Sequence, residues 1–260
     1  MKTYSLNRVL EEYGFTALLV KVIFHPLTKI PLIRNLILKA VIYDLSNKMK
    51  NCDNLDQSIK LVFSYKKFGI DIKPMQVMTE IGRLLRILEQ LRPETLLEIG
   101  TARGGTLFLF TRIASPTATF ISIDLPGGMF GGGYEDWRIA LYKSFALDRQ
   151  KIYLIRADSH SINTLNNVKS IIDDKKIDFL FIDGDHSYEG VKKDFEMYST
   201  LVRKGGIIAF HDIVPHDRAH DPCGVVGVPR FWNEIKHSYK YLEIVKDWSQ
   251  GWAGIGVLYV

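Results

Sequence analysis

The stretch Ile177–Asp212, IDFLFIDGDHSYEGVKKDFEMYSTLVRKGGIIAFHD, decides the fold. It holds two short apolar runs, Phe179–Ile182 and Ile207–Phe210. The first closes in Asp183-Gly184-Asp185-His186 and the second in His211-Asp212, and the segment between them has helical spacing. Strand, helix and strand in that order make a βαβ unit whose strands run parallel. Such sheets bind ligands at the carboxyl ends of their strands. Two carboxylates and two imidazoles at one sheet edge point to a metal site or a proton-transfer centre.

Outward from this unit the alternation continues. Strands are expected at Thr95–Ile99, Thr119–Ile123 and Ile152–Arg156 upstream, and at Tyr241–Val245 and Ile255–Val260 downstream. Helices are expected at Met78–Leu91, Gly104–Ala114, Tyr134–Leu147, Ser161–Asp173, Tyr188–Leu201 and Arg230–Ser238. Apolar residues at helical intervals mark the first of these, and Pro93 ends it. The pattern predicts an α/β fold, a Rossmann-like doubly wound sheet of about seven mostly parallel strands. The short connection between the last two strands suits a hairpin, so one antiparallel strand near the C-terminus is expected. Residues 74–260 are read as this domain. Residues 1–73 are read as a helical, irregular extension with a polar break at Asn47–Gln57, used for oligomerisation, as a lid or for surface contact.

Composition fits that reading. In 260 residues, 47% hydrophobic and 24% charged, one α/β domain with appendages can bury a sizeable core. Residues 1–75 hold 12 Lys+Arg against 6 Asp+Glu, while the remainder is close to neutral. The two cysteines, Cys52 and Cys223, form neither a metal pair nor a disulfide framework, which favours a reducing compartment and a cytoplasmic protein. The apolar region Phe15–Tyr43 is interrupted by charges and prolines and predicts amphipathic helices rather than a membrane span. A partner subunit is the favoured use of those helices, and contact with a membrane surface a less favoured one.

The first strand runs into Glu98-Ile99-Gly100-Thr101-Ala102-Arg103-Gly104-Gly105 and a helix. Glycine permits the tight turn, and the helix N-terminus offers free N–H groups. Against the dinucleotide pattern, Gly100 and Gly105 fit and Ala102 replaces the middle glycine. Glu98 sits inside the strand, where a dinucleotide site has no evident use for an acid. Asp124 ends the second strand, placed to accept ribose hydroxyls. Asp158-Ser159 follows the third strand, placed for an adenine edge. These residues describe a nucleoside pocket, with Thr101 in its loop and Glu98 beside it to orient the loop or hold an amino group.

The ordered series LLEIGTARGG, ISID, RADSHS, IDFLFIDGDHSYEGV and RKGGIIAFHD resembles class I S-adenosylmethionine-dependent methyltransferases over about Lys73 to Val260. The variant is similar to the metal-dependent O-methyltransferases that include macrolide-sugar methyltransferase and cephalosporin-hydroxylase-like proteins. The resemblance implies S-adenosylmethionine as cofactor. Gly100, Ala102 and Gly105 would line its methionine part, Asp124 its ribose, and Asp158 and Ser159 its adenine. It also implies an acid, a base three residues on, and a pair after the fifth strand. Those positions are Asp183, His186 and His211-Asp212, with Asp183, His211 and Asp212 as ligands of a divalent cation, Mg²⁺ first. His211 departs from the family pattern, which carries an acid there. A histidine ligand would shift preference toward Mn²⁺, Fe²⁺ or Zn²⁺. His186 is the expected base.

The function expected is transfer of a methyl group to a hydroxyl of a small polyhydroxylated molecule or sugar, by a homo-oligomer. The alternatives are a non-catalytic nucleoside-binding or assembly protein and a nicotinamide-dependent oxidoreductase. Nucleic acid is not expected as a partner, because no basic, aromatic-interleaved patch lies near the site. Asp185 is expected to cap the helix after it. Acceptor contacts are expected from the loops Pro126–Asp136 and Ile213–Pro229 and from Trp232, Trp248 and Trp252.

Overall fold

A computed structural model describes residues 30–128, 130 and 132–260. The described chain begins with helices α1 (Pro31–Lys50) and α2 (Leu55–Ser64), then a small hairpin of β1 (Lys66–Lys67) and β2 (Ile70–Asp71). Helix α3 (Met78–Leu91) leads into β3 (Thr95–Ile99), α4 (Gly105–Ile113) and β4 (Thr119–Asp124). There follow α5 (Ile139–Lys143), β5 (Lys151–Arg156), α6 (Ile162–Ile172), β6 (Ile177–Ile182) and α7 (Tyr188–Tyr198). The chain closes with β7 (Val202–His211), α8 (Val228–Ile235), β8 (Lys240–Ile244) and β9 (Ile255–Tyr259).

Seven of these strands form one sheet in the order β5-β4-β3-β6-β7-β9-β8. The pairs among β3, β4, β5, β6 and β7 are parallel, and β9 runs antiparallel to both β7 and β8. The expected doubly wound sheet with one antiparallel strand is therefore present. The direction of winding reverses between β3 and β6, and a crevice at the strand tips is expected at such a point. Here Asp183 donates its backbone N–H to Ile99 O at 2.8 Å, so the tip of β6 is locked to the tip of β3.

Strand β3, TLLEI, is buried at every position because helices cover both faces of the sheet. Helix α3 turns Ile81, Leu84, Leu85 and Leu88 into the core, each fully buried. Truncating one of them to alanine would cost about 2–5 kcal/mol. The same core contains Val41 and Leu45 of α1, Val62 of α2 and Ile72 after the hairpin, together with Phe108, Phe179 and Phe181. The described part of the N-terminal segment thus shares the core of the sheet. Lys67 pairs with Asp44 at 2.6 Å and Tyr65 donates to Val41 O at 3.0 Å, fastening the hairpin region to α1. Among the described residues no helix is long and apolar enough to cross a membrane.

Three local expectations differ from the structure. The helix expected over 134–147 is a single 3₁₀ turn, Asp136–Arg138, followed by the short α5. The Gln150 carboxamide accepts from Leu147 N and donates to Thr111 O and Ser115 O, drawing the chain off the helix toward β5. The polar break near residue 50 is shorter than expected, because α1 runs to Lys50 and Asn54 caps α2 by accepting from Gln57 N. Asp185 does not cap α7. Ser187 does, accepting from Gly190 N at 3.0 Å, while Asp185 Oδ1 accepts from Ser187 N one step earlier.

Candidate functional site

Two carboxylates and two imidazoles meet where β6 and β7 end. Residues Phe179–Ile182 pair in register with Ile207–Phe210, so the strand exits at Asp183 and His211 lie side by side. Asp212 leaves β7 with φ of 64°, a left-handed conformation that aspartate tolerates better than most residues. His186 sits just before α7 and folds back over both acids. Its Nδ1 is 3.0 Å from Asp212 Oδ2 and its Nε2 is 3.5 Å from Asp183 Oδ1. Phe130 stacks on its ring, with centroids 4.9 Å apart.

His211 takes a different place from the one expected. Its Nδ1 lies 3.0 Å from Asp183 Oδ1 and 3.2 Å from Asp212 Oδ2, so one N–H is shared by the two carboxylates and fixes their spacing. The residues whose ligand atoms lie within 4.8 Å of one another are Asp183, His186 and Asp212. Among the described residues the geometry thus brings His186, the expected base, into a possible ligand group, while His211 Nδ1 stands about equally close to both acids.

The second oxygens of both acids are also engaged. Asp183 Oδ2 accepts from Gln76 Nε2 at 2.6 Å. Asp212 Oδ1 faces His216 Nε2 at 3.0 Å and accepts from Ala253 N at 3.1 Å. Burial alone would depress the charged form of His211, but Asp212 and Asp183 outweigh it and hold the ring well above the ordinary histidine range. Burial opposes the charged form of His186 too, and its bond to Asp212 raises its pKa all the same. Burial works against ionised Asp212, yet His211, His186 and His216 hold it well below the usual carboxylate range. The two acids thus favour the charged form of the His186 and His211 rings. A divalent cation could replace the proton on His186, since two oxygens and one nitrogen would face it.

The glycine loop lies beside this cluster. A Cβ on Gly100, whose φ is +100°, would stand 2.0 Å from Asp183 O, so only glycine lets the β3 and β6 tips approach this closely. A Cβ on Gly105 would stand 2.4 Å from Ile72 O, so that glycine admits the protein's own 72–74 segment. Ala102 adopts φ of 43° and its carbonyl accepts from Tyr142 OH at 2.8 Å.

Asp124 holds the loop from below. Its Oδ2 accepts from Thr101 N at 3.0 Å and Ala102 N at 2.6 Å, and its Oδ1 accepts from Gly133 N at 2.6 Å. Burial pushes its carboxyl up, and these backbone N–H groups offset part of that. The Leu125 backbone N–H bonds this carboxylate too, so a ribose hydroxyl would take the place of one of these backbone donors. Glu98 is buried beneath the loop, accepting from Ser122 Oγ at 2.6 Å and from Thr106 Oγ1. Thr101 Oγ1 extends the chain to Ser122 Oγ at 2.6 Å. Burial pushes the Glu98 pKa up to about 8. Of its two expected uses, the geometry supports orienting the loop.

At the tip of β5, Asp158 is exposed and Ser159 buried. Asp158 Oδ1 accepts from His160 N and Ser159 O accepts from Tyr198 OH, so both face the same edge as Asp124 across one strand. His160 Nε2 lies 3.2 Å from the buried Asp194. Sequence reading gave His160 no role and did not single out Asp194, because a pairing 34 positions apart leaves no local pattern.

Two openings adjoin the cluster. A narrow crevice of about 20 Å³ is lined by Lys73–Gln76, Gly100–Arg103, Gly105, Thr106 and Asp183. It shares the 73–76 segment and Arg103 with a wide cleft of about 710 Å³, which runs to the 246–252 segment. Trp252 lines that cleft. Trp232 is buried against Gly256 and belongs to the core, and Trp248 stands 54% exposed. Gln76 lines both openings and was not anticipated. It lies 107 positions from the acid it touches.

Comparison with known proteins follows from this geometry. Residues 97–213 match the family described as Methyltransferase domain. An uncharacterised protein of Sinorhizobium fredii is 25% identical over 153 residues, covering 57% of this chain and 16% of that protein. An uncharacterised protein of Acanthamoeba polyphaga mimivirus is 33% identical over 124 residues, covering 45% of this chain and 51% of its own length. The chain thus spans about half or less of the curated relatives it matches. Among solved structures, the fold is similar to the O-methyltransferase TomG of Streptomyces achromogenes, involved in tomaymycin synthesis, in complex with SAM. That match has a TM-score of 0.53 at 18% identity and covers 80% of this chain and 90% of the other. It is also similar to an O-methyltransferase of Bacillus cereus in complex with SAH, with a TM-score of 0.53 at 16% identity and coverage of 79% and 90%.

Proposed function

We propose that the protein transfers a methyl group from S-adenosylmethionine to a hydroxyl oxygen of a small polyhydroxylated molecule or sugar, assisted by a divalent cation; residues 97–213 match a methyltransferase domain. The observation that carries this reading is the meeting of Asp183, His186 and Asp212 directly beside the Gly100 loop. It is supported by the similarity in fold to O-methyltransferases whose structures hold SAM or SAH.

The residues present fit the cofactor. Asp124 stands at the second strand tip beside the 100–105 loop, a carboxylate placed to exchange a backbone N–H for a ribose hydroxyl. In this reading Asp124 binds ribose, Asp158 and Ser159 flank adenine, and the 100–105 loop with Glu98 beneath it frames the methionine part. The cofactor would supply an activated methyl group, and a cation on Asp183, His186 and Asp212 would lower the pKa of a hydroxyl bound to it. With no cation on His186, its ring can take the proton of the acceptor hydroxyl; with the cation bound there, its free lone pair is used and the ring acts as a ligand only. His211 keeps the two acids at a fixed spacing through the reaction.

A second reading without the cation is favoured by one observation. Both carboxylates already have an imidazole nitrogen within 3.0 Å, and neutral His186 would then act as the proton carrier alone. Calorimetric titration with S-adenosylhomocysteine, with and without Mg²⁺, separates the readings. Micromolar binding is expected, strengthened or accompanied by Mg²⁺ binding that Asp183→Asn removes. Absence of S-adenosylhomocysteine binding, with binding of NAD instead, would replace the methyltransferase reading with the oxidoreductase one. Binding of both S-adenosylhomocysteine and Mg²⁺ without turnover on any glycoside or polyol tested would favour the non-catalytic alternative.

A cytoplasmic homo-oligomer is part of the same proposal. On α1, Leu32, Leu36 and Tyr43 are 72%, 60% and 71% exposed, an apolar stripe on the side away from the core. Light scattering of the intact chain and of a Leu36→Glu, Tyr43→Glu variant tests it, with a change from oligomer to monomer expected.

A further inference from the structure

The wide cleft beside the catalytic cluster carries a more specific message, which rests on the methyltransferase reading and deepens it. Its walls come from two segments far apart in sequence, residues 73–78 and 246–252. The second wall is built in advance. Buried Glu80 of α3 accepts from Lys246 N at 2.9 Å, Gln250 Nε2 at 2.9 Å and Gly254 N at 3.0 Å. One carboxylate thus sets the course of the rim against α3, and the cleft does not depend on a mobile loop for its shape.

Two buried amide oxygens on these walls have no partner, Gln76 Oε1 and Gln250 Oε1. Their orientation is fixed by chemistry. The Gln76 amino group faces the Asp183 carboxylate, and the Gln250 amino group faces both Glu80 and Trp252 O, acceptors that an amide oxygen would repel. Buried acceptors are normally satisfied, and leaving them bare is unfavourable. Both oxygens are closed off from solvent, so a bound hydroxyl would satisfy either only once its side chain turns toward the cleft. Apolar surface is present as well, from Phe63, Met75, Met78 and Trp252. Around the opening stand three cations, Lys73, Arg103 and Lys246, against a single acid, Asp247. Arg103 shares its charge with Asp71 at 3.3 Å, while the Lys73 and Lys246 side chains are exposed.

We propose that the cleft between residues 73–78 and 246–252 is the acceptor site, and that it takes a polyhydroxylated ring bearing an anionic group, a carboxylate or a phosphate. Ring hydroxyls donate to Gln76 Oε1 and Gln250 Oε1, the ring face packs on Met75 and Trp252, and the anion lies toward Lys73 and Lys246. Gln76 touches Asp183 at its other end, so a ring held there has a hydroxyl within reach of the catalytic cluster.

The test is a calorimetric comparison of three probes on the intact protein saturated with S-adenosylhomocysteine. The probes are phenyl glucoside, phenyl glucuronide, and the glucoside phosphorylated on its primary hydroxyl. At least one anionic probe is expected to bind about tenfold tighter than the neutral one at low salt. Comparing the two anions identifies which is preferred. The Lys246→Glu variant, changed on an exposed side chain outside the glycine-loop crevice, is expected to lose most of the discrimination while binding S-adenosylhomocysteine as before. Rising salt should shrink the discrimination in the unmodified protein. Equal affinity for the three probes, a preference that survives in the variant, or no binding tighter than about 10 mM by any probe would each overturn the proposal. Failure of S-adenosylhomocysteine itself to bind would instead strike the methyltransferase reading, and the three probes titrated alone would still judge the cleft.

Discussion

Replacing Glu98 with glutamine should make the protein more stable, and by an amount that depends on pH. Glu98 is 2% exposed, and burial lifts its pKa from 4.5 to about 8. A carboxyl whose folded pKa is raised binds a proton more tightly folded than unfolded. Between about pH 4.5 and 8 the folded state therefore carries the extra proton, and stability falls as pH rises through that window. The slope is about 1.4 kcal/mol per pH unit, which accumulates to about 3 kcal/mol at pH 7. Glutamine keeps the shape and can still pair with Thr106 and Ser122, but it has no proton to lose. Urea unfolding of both proteins at intervals from about pH 5 to 8, followed by the fluorescence of the four tryptophans, measures the difference. The two should nearly coincide at the acid end. The variant should lead by about 3 kcal/mol at pH 7, or roughly 6–12 °C in melting temperature for a chain of this size. His186 and His211 have raised pKa values and also weaken the fold as pH rises, so the slope of either protein alone decides nothing. Only the gap isolates Glu98. A gap that stays constant across the range would refute the reasoning.

Three further outcomes follow from the site. Gly100→Ala places a methyl 2.0 Å from Asp183 O on a backbone with φ of +100°; a loss of several kcal/mol is expected in denaturant unfolding, with S-adenosylhomocysteine binding lost in calorimetry. Mn²⁺, read by electron paramagnetic resonance, must displace the proton that Asp212 helps hold on His186, so its affinity should rise with pH up through the raised His186 range and level off beyond it; affinity independent of pH would place the ion elsewhere. His186→Ala should lower turnover by about 100-fold or more while leaving S-adenosylhomocysteine affinity within about twofold, and equal loss of both in paired kinetic and calorimetric measurements would remove the proton-carrier role.

The sheet was legible because its signals are local. Strand β3 and helix α3 fall at the expected bounds, since an apolar run closed by Gly100 and an amphipathic repeat closed by Pro93 each say where they stop. Asp183, Asp212 and His186 were legible as a group because parallel strands in register deliver neighbouring tips to one edge. What stayed hidden was geometry finer than register. Whether His186 or His211 enters the ligand group depends on how each ring folds back over the acids. Gln76 and Glu80 were invisible for another reason. They act on partners 107 and 166 positions away, and nothing in their own neighbourhood distinguishes them from ordinary residues of a helix entrance. Asp185 and Ser187 both suit a helix start, and only the structure shows which of them faces the free N–H groups.

The left-handed backbone at Asp212 separates two pressures that usually act together. Glycine, asparagine and aspartate all suit that conformation, so the fold alone would let the position drift among the three. Only aspartate brings a negative charge to His186, His211 and His216 at once. In any descendant or engineered version, asparagine at 212 would keep the backbone undisturbed and remove the charge that the three imidazoles share.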